Sequence, residues 1–215
     1  MSLVRHMMIS AVLLGLFAII GTAMVALIHE ATAERIATNE RAFLLKSLHI
    51  LIPPEQHDND LFSDVITVTD KDLLGTDKPV RVYRARQGTQ PVASIINAIA
   101  PDGYSGSIEL LVAIRYDGTL AGVRVVKHKE TPGLGDAIEA NKSNWVLGFN
   151  HRSLTDPEKK GWAVKRDGGI FDQFTGATIS PRAIVNAVYR SLLYFEAHKD
   201  DLFEKPSMPM EEQVS

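Results

Sequence analysis

Two short stretches hold the residue types best suited to chemistry. One is Phe171–Val188, FDQFTGATISPRAIVNAV, where threonines and a glycine crowd ahead of an amphipathic run. The other is His128–Gly135, HKETPGLG. A helix N-terminus presents N–H groups without intrahelical partners and a partial positive charge, so an anionic group near Ser180 is stabilised. Gly176 and Ala177 let a bulky ligand approach the backbone. Thr175 and Thr178 supply hydroxyls that can donate to a phosphate or be esterified by one. Pro132-Gly133-Leu134-Gly135 has two glycines and no bulky charge, and can pass under a planar ring and bond it through backbone groups. That mixture, mostly apolar with a few placed polar groups, is the character of a cofactor site. Each stretch also has a plainer reading. Thr-Pro-Gly is turn chemistry, and Thr-Gly-Ala-Thr can simply shape the entry to a helix.

Other chemistry is sparse. Glu109, Glu130 and His128 are acid/base candidates, better read as two solvated glutamates and a strand-end histidine. No histidine or carboxylate pair has the HxxxH type of metal-ligand spacing. The chain has no cysteine, which removes disulfides, thiolate-held iron–sulfur clusters and CxxCH haem attachment. Electron handling would therefore need an organic cofactor or a metal without thiolates. The net charge is −3, and no long Lys/Arg block offers a track for a nucleic-acid backbone. Lys159, Lys160, Lys165 and Arg166 alternate with Asp156, Glu158 and Asp167, as in a solvated loop.

The elements that must position these loops follow from hydrophobic period. VITVT (65–69), VRVYRAR (80–86) and VASIINAIA (92–100) read as strands punctuated by Gly, Pro and Asp. SIELLVAIRYDGTLAGVRVVKH (107–128) reads as a hairpin about Asp117-Gly118, a dipeptide suited to a two-residue turn with positive φ at both positions. Ile108, Leu110, Val112 and Ile114 share one face. Asp136 can cap a short helix, and Trp162 to Lys165 is a candidate short strand. Ser180 reads as the N-cap and Pro181 as the first residue of a helix whose buried stripe is Ile184, Val185, Val188, Leu192 and Phe195. The expected class is α+β: one N-terminal transmembrane helix and one domain on a small antiparallel sheet with flanking helices.

Met7–Ile28 carries no charge, and roughly 20 apolar residues suffice to cross a bilayer as a helix. A cleaved signal peptide is the competing reading, and Ala31-Thr32-Ala33 resembles a cleavage site. The apolar run exceeds the roughly 7–15 residues usual for a signal, which favours a retained anchor. Gly15, Gly21 and Ala23 permit close helix approach in the membrane. Flanking charges leave the orientation ambiguous, with Arg5 before the span and Arg35, Arg41 and Lys46 after it among Glu30, Glu34 and Glu40. The short tail makes N-in the default. The expected division is a tail at 1–6, the span at 7–28, and a helical stalk at 29–52 with Ile36, Phe43, Leu44, Leu48 and Leu51 on one stripe, ended by Pro53-Pro54. A domain at 53–204 and a disordered, acidic tail at 205–215 complete it.

HKETPGLG followed by DQFTGATIS resembles the FMN-binding domain of the G subunit of Rnf-type ion-translocating electron transport complexes. The C subunit of the sodium-pumping NADH:quinone reductase shares that domain and is the alternative; the shorter chain favours the Rnf type. The resemblance covers nearly the whole chain and is strongest from about Gly103 to Leu193. It implies one covalent FMN on Thr178 through a phosphoester, with Thr175, Gly176 and Ala177 completing the motif. Asp172 would open the sequence read by a flavin transferase. Glu130, Thr131, Gly133, Leu134 and Gly135 are expected to form the ring-side loop, with Thr131 and Leu134 in contact with the ring. The domain would face the periplasm from the bacterial inner membrane, relaying electrons among the other proteins of a complex that moves ions, and would not be a self-sufficient enzyme. Two other classes stand beside this reading: a cofactor-free extracytoplasmic scaffold, and a flavin-dependent reductase with a soluble acceptor.

Overall fold

The structure, a computed structural model, describes residues 2–208. Most of the expected tail, 209–215, therefore lies outside the described residues. The chain divides into two compact units after Leu45. Helix α1 spans Ser2–Leu51. It contains a stretch long and apolar enough to cross a membrane. Ile36 and Phe43 on it are exposed.

The second unit begins at Lys46, so the last turn of α1 folds with it, and Leu48, Leu51 and Ile52 are buried there. Pro53 and Pro54 end the helix, since proline lacks the N–H needed to continue it. Five strands follow in a meander: β1 (Val65–Asp70), β2 (Thr76–Gln87), β3 (Gln90–Ala100), β4 (Ile108–Arg115) and β5 (Leu120–Lys127). Every neighbouring pair is antiparallel and the spatial order equals the chain order. A one-turn helix, α2 (Lys71–Leu74), interrupts β1 and β2, and a long helix, α3 (Ile179–Glu204), closes the unit. The fold is α+β, as expected.

Three local readings differ from expectation. β2 starts earlier than residue 80, and its Pro79 sits where the register slips between Val68 and Asp70 of β1. A bulge is where a strand tolerates a residue without N–H. The α2 turn is new: Asp70 caps it by accepting from the Leu73 N–H at 2.8 Å, and Gly75 at φ 76° closes it. The β4–β5 turn is not the two-residue type. Only Gly118 has positive φ, 86°. Its N–H donates to Arg115 O at 2.9 Å, while the Asp117 carboxylate accepts from the Thr119 N–H and hydroxyl. Those side-chain bonds hold Asp117 at ordinary φ, giving a type I turn followed by a left-handed glycine.

Alternation along the strands makes two faces. Ile66, Val82, Ile96, Leu110, Val112 and Ile114 pack against α3, whose Ile184, Val185, Val188, Leu192 and Phe195 form the expected stripe, all buried. The opposite face carries Ile95, Leu111 and Ala113. There a side chain on Gly122 would meet Leu51 at 3.0 Å. Burying each such side chain contributes about 1.5–3 kcal/mol.

At its C-terminal end α3 is held by a charged clasp. Arg84, on β2 and 1% exposed, donates to Asp64, to the carbonyls of Leu202 (2.9 Å) and Lys205 (2.6 Å), and to Ser207 Oγ at 2.8 Å. Lys205 to Met208 is thus bound to the sheet, Met208 N–H donating to Val65 O at 2.7 Å.

Candidate functional site

Between β5 and α3 the chain runs through short 3-10 turns instead of strands. Trp162 to Lys165 makes only a single bridge, Val164 to Phe171, and then turns. What orders this region is an aromatic cluster. Phe149 stacks on Phe171 with centroids 4.6 Å apart, and Trp145 meets both Phe149 and Phe174 edge-on at 5.3 Å. The Trp145 indole N–H donates to Asp172 O at 2.7 Å. The DQFTGAT segment is thereby fixed to the core from below. Above it, Ala177 N–H donates to Phe174 O at 3.1 Å, closing a four-residue turn. Gly176 takes φ 83° at the third position, which in a type II turn calls for glycine.

The ETPGLG loop folds on itself. The N–H groups of Leu134 and Gly135 both donate to Thr131 O at 3.1 Å, and Gly133 N–H donates to the Asp136 carboxylate at 2.7 Å. Asp136 therefore does not cap the following turn (Gly135–Ile138) but ties the loop ahead of it. The amides of Gly133, Leu134 and Gly135 are consumed internally and are not free to bond a ring lying here. Gly133 adopts φ 78°. Gly135 serves a different need: a Cβ there would come 2.8 Å from Glu130 Oε2.

Glu130 is not a solvated glutamate. It is 5% exposed. It accepts from Ser105 N–H at 3.1 Å and from the Ser180 hydroxyl at 2.7 Å. Glycines at 103 and 135 leave the space it needs. Its own N–H donates to His128 Nδ1 at 3.0 Å, which leaves Nε2 to face Glu139 at 2.9 Å. Since Nδ1 is an acceptor, the proton of a neutral ring sits on Nε2. His128 thus shapes the loop entrance, and Glu109 on β4 is half-buried and does not line the cavity.

The two loops meet over one cavity of about 210 Å³, lined by Tyr104, Glu130, Thr131, Leu134, Gly135, Gly176, Ala177, Thr178 and Ile179. Of the site residues expected from the sequence, Glu130, Thr131, Leu134, Gly135, Gly176, Ala177 and Thr178 line it; Gly133, Thr175 and Asp172 do not. Gly133 sits in the turn that shapes the lining. Thr175 is exposed at the turn's tip. Asp172 is exposed and paired with Lys165 at 2.6 Å, a surface contact of little energetic worth. Tyr104, 70% exposed, and Ile179 join the lining although their residue types gave no expectation of it. The signal for Tyr104 was an aromatic between two glycines in DGYSG.

The cap of α3 also differs from expectation. The helix begins at Ile179 with Thr178 ahead of it, and Ser180 lies within its first turn. Pro181 is tolerated there because the first four helix N–H groups have no intrahelical partner anyway. Ser180 spends its hydroxyl on Glu130 and not on the helix. The first helical bond is Arg182 N–H to Thr178 O at 3.3 Å. Among the described residues, the amides of Thr178, Ile179 and Ser180 have no protein acceptor, and the half-exposed Thr178 hydroxyl has no partner. Unpartnered amides, a free hydroxyl and an apolar wall of Leu134, Ala177 and Ile179 fit a group with a phosphate at one end and a flat ring at the other.

Comparison with known proteins agrees with that fit. Residues 103–193 match the FMN-binding domain family, and residues 1–51 match the RnfG N-terminal region. A protein from Shewanella loihica, described as the G subunit of an ion-translocating oxidoreductase complex, is 51% identical over 94% of this chain and 96% of its own length. The chain belongs to the RnfG family. Members from Pseudomonas aeruginosa (53% identical, covering 92% of each chain) and Vibrio cholerae (47% identical, covering 92% of this chain and 94% of the relative) carry the same description. The FMN-binding match of this RnfG-family chain encloses every lining residue of the cavity, from Tyr104 to Ile179.

Proposed function

We propose that this chain is the membrane-anchored flavoprotein of an ion-translocating electron transport complex, carrying one FMN as a phosphoester on Thr178. The observation that carries the reading is the free Thr178 hydroxyl beside the unpartnered amides opening α3, at the edge of a cavity shared with the ETPGLG loop. Amides aimed at a phosphodiester stabilise its charge by about 0.3–1 kcal/mol for the helix end, more where water is excluded. Leu134 and Thr131 would bear on the ring, and Tyr104 lines the same cavity. When bound, FMN supplies one- and two-electron redox chemistry that no side chain here can.

Attachment needs a flavin transferase with an activated flavin donor. The Thr178 Oγ1–P bond forms as the donor's P–O bond to its leaving group breaks, and the hydroxyl proton departs to a base. Asp172 and Thr175 are exposed beside the acceptor, where an enzyme can read them. The cavity is smaller than the roughly 300–1,000 Å³ common for enclosed ligand sites, so part of a flavin would stay at the surface, within reach of an electron partner. The RnfG relatives support partners within a membrane complex, and α1 supports the anchor. We read the domain as periplasmic, because a covalent tether prevents cofactor loss outside the cytosol, where free FMN is scarce.

Intact mass spectrometry of the chain co-expressed with a flavin transferase tests this. One flavin-sized increment, mapped to a peptide containing Thr178 and absent in Thr178→Ala, is expected. Release of all flavin on denaturing the wild type rules the phosphoester out.

A further inference from the structure

Glu130 is the one buried carboxylate in the cavity lining, at 5% exposure. Both its partners are neutral, an amide from Ser105 and a hydroxyl from Ser180. Neither bond brings a cation. The His128 ring accepts the Glu130 N–H and so offers it a lone pair, not a positive charge. Other shielded acids are treated differently: Asp64, 13% exposed, is matched by Arg84 and Arg86, and the buried Asp136 has Lys142 at 3.7 Å. Among the described residues Glu130 is thus a buried carboxylate without an ion pair, and it stands in the wall of the cavity.

Three other features keep it there. Glycine at 103 and at 135 leaves room that any Cβ would take, at 2.9 Å and 2.8 Å from the two carboxylate oxygens. Ser180, which donates to it, is fully buried in the first turn of α3, two residues along the chain from Thr178. An anion so placed disfavours any added electron in the same low-dielectric space, because like charges repel more strongly where water is excluded.

We infer that Glu130 sets the reduction potential of the bound flavin, holding it low through an uncompensated charge in the cavity wall. This rests on the flavin reading above and goes beyond it by assigning a residue that tunes the cofactor without reacting. Glu130→Gln keeps the shape: its carbonyl can accept from Ser105 N–H and its amide can donate to Ser180 Oγ. The charge alone is lost.

The test is a potentiometric titration of detergent-solubilised full-length protein with flavin attached, read by visible absorbance. Glu130→Gln is expected to lower the oxidised-to-reduced ratio at a fixed poise at least tenfold, an upward shift of about 59 mV for a one-electron step. Glu130→Asp keeps the charge and is expected to stay near the wild type. Normal flavin content with an unshifted potential in Glu130→Gln overturns the inference, as does an equal shift in Glu130→Asp. If Glu130→Gln takes up no flavin, Ser180→Ala decides. It removes one donor from the retained charge and is expected to lower the potential; an unchanged or raised value overturns the inference. A wild type without covalent flavin instead defeats the proposed function, so the two failures are distinct.

Discussion

Replacing Asp64 by asparagine should weaken the fold far from the cavity yet at the other end of the helix that opens it. Arg84 donates from Nε and Nη2 to one Asp64 oxygen, and Arg86 Nε reaches the other at 2.6 Å. The remaining guanidinium donors take the carbonyls of Leu202, Phe203 and Lys205, which close the last turn of α3. One carboxylate thus balances two cations that hold a helix end. Asp64→Asn is isosteric, but it removes the charge and turns an NH₂ toward arginine donors. Breaking one side of a buried pair costs about 3–5 kcal/mol, and Asp64 at 13% exposure is little screened. Urea unfolding of the solubilised chain, followed by Trp145 and Trp162 fluorescence, should therefore show a loss of about 3 kcal/mol or more at pH 7. The pH dependence carries its own sign. Burial pushes the Asp64 carboxyl up, but hydrogen bonds from Arg86 and Ser207 and the charge of Arg84 outweigh it, leaving the group below its ordinary 3.8. The unfolded chain then binds the proton more readily, so the contribution is present above about pH 4 and is lost as pH falls through the folded value. Asp64→Asn should lack that acid-dependent part. A loss under about 1 kcal/mol, or an identical acid decline in the variant, refutes the clasp as argued.

Further expectations concern the cavity's supports. Gly135→Ala puts a Cβ 2.8 Å from Glu130 Oε2 and should lower stability by about 1–3 kcal/mol in thermal melts. Gly133→Ala meets open space but a φ of 78°, so it should cost about 1–2 kcal/mol by the same melts, and Gly133→Asn less, because asparagine tolerates the left-handed region. Trp145→Phe keeps an aromatic ring but loses the 2.7 Å bond to Asp172 O; a cost of about 0.5–1.5 kcal/mol and faster hydrogen exchange in 172–178 are expected. Phe149→Ala removes the ring that stacks on Phe171 and should cost about 3–5 kcal/mol by chemical denaturation.

Much of this protein was legible in its residues. The α3 stripe, the strand faces and the apolar N-terminal run follow from period and length, because burial on one side selects those spacings directly. TGAT and ETPGLG were visible as a pair, and the structure brings them to one cavity. Turn geometry was less legible. The β4–β5 turn depended on Asp117 bonding to Thr119, and the α3 cap on Ser180 bonding elsewhere; local propensity could not foresee either competitor.

By itself the sequence determined which segments could be helix or strand and which hydroxyls stood ready for a phosphate. Only the tertiary structure decided what the polar side chains do. Glu130 reads as one more soluble glutamate until Ser105 and Ser180 arrive from 25 residues before it and 50 after it. Tyr104 becomes cavity wall, and Asp136 a loop tie, for the same reason. Periodicity reports burial of a face, which is local, whereas a polar group's role is set by partners that the fold brings from far along the chain.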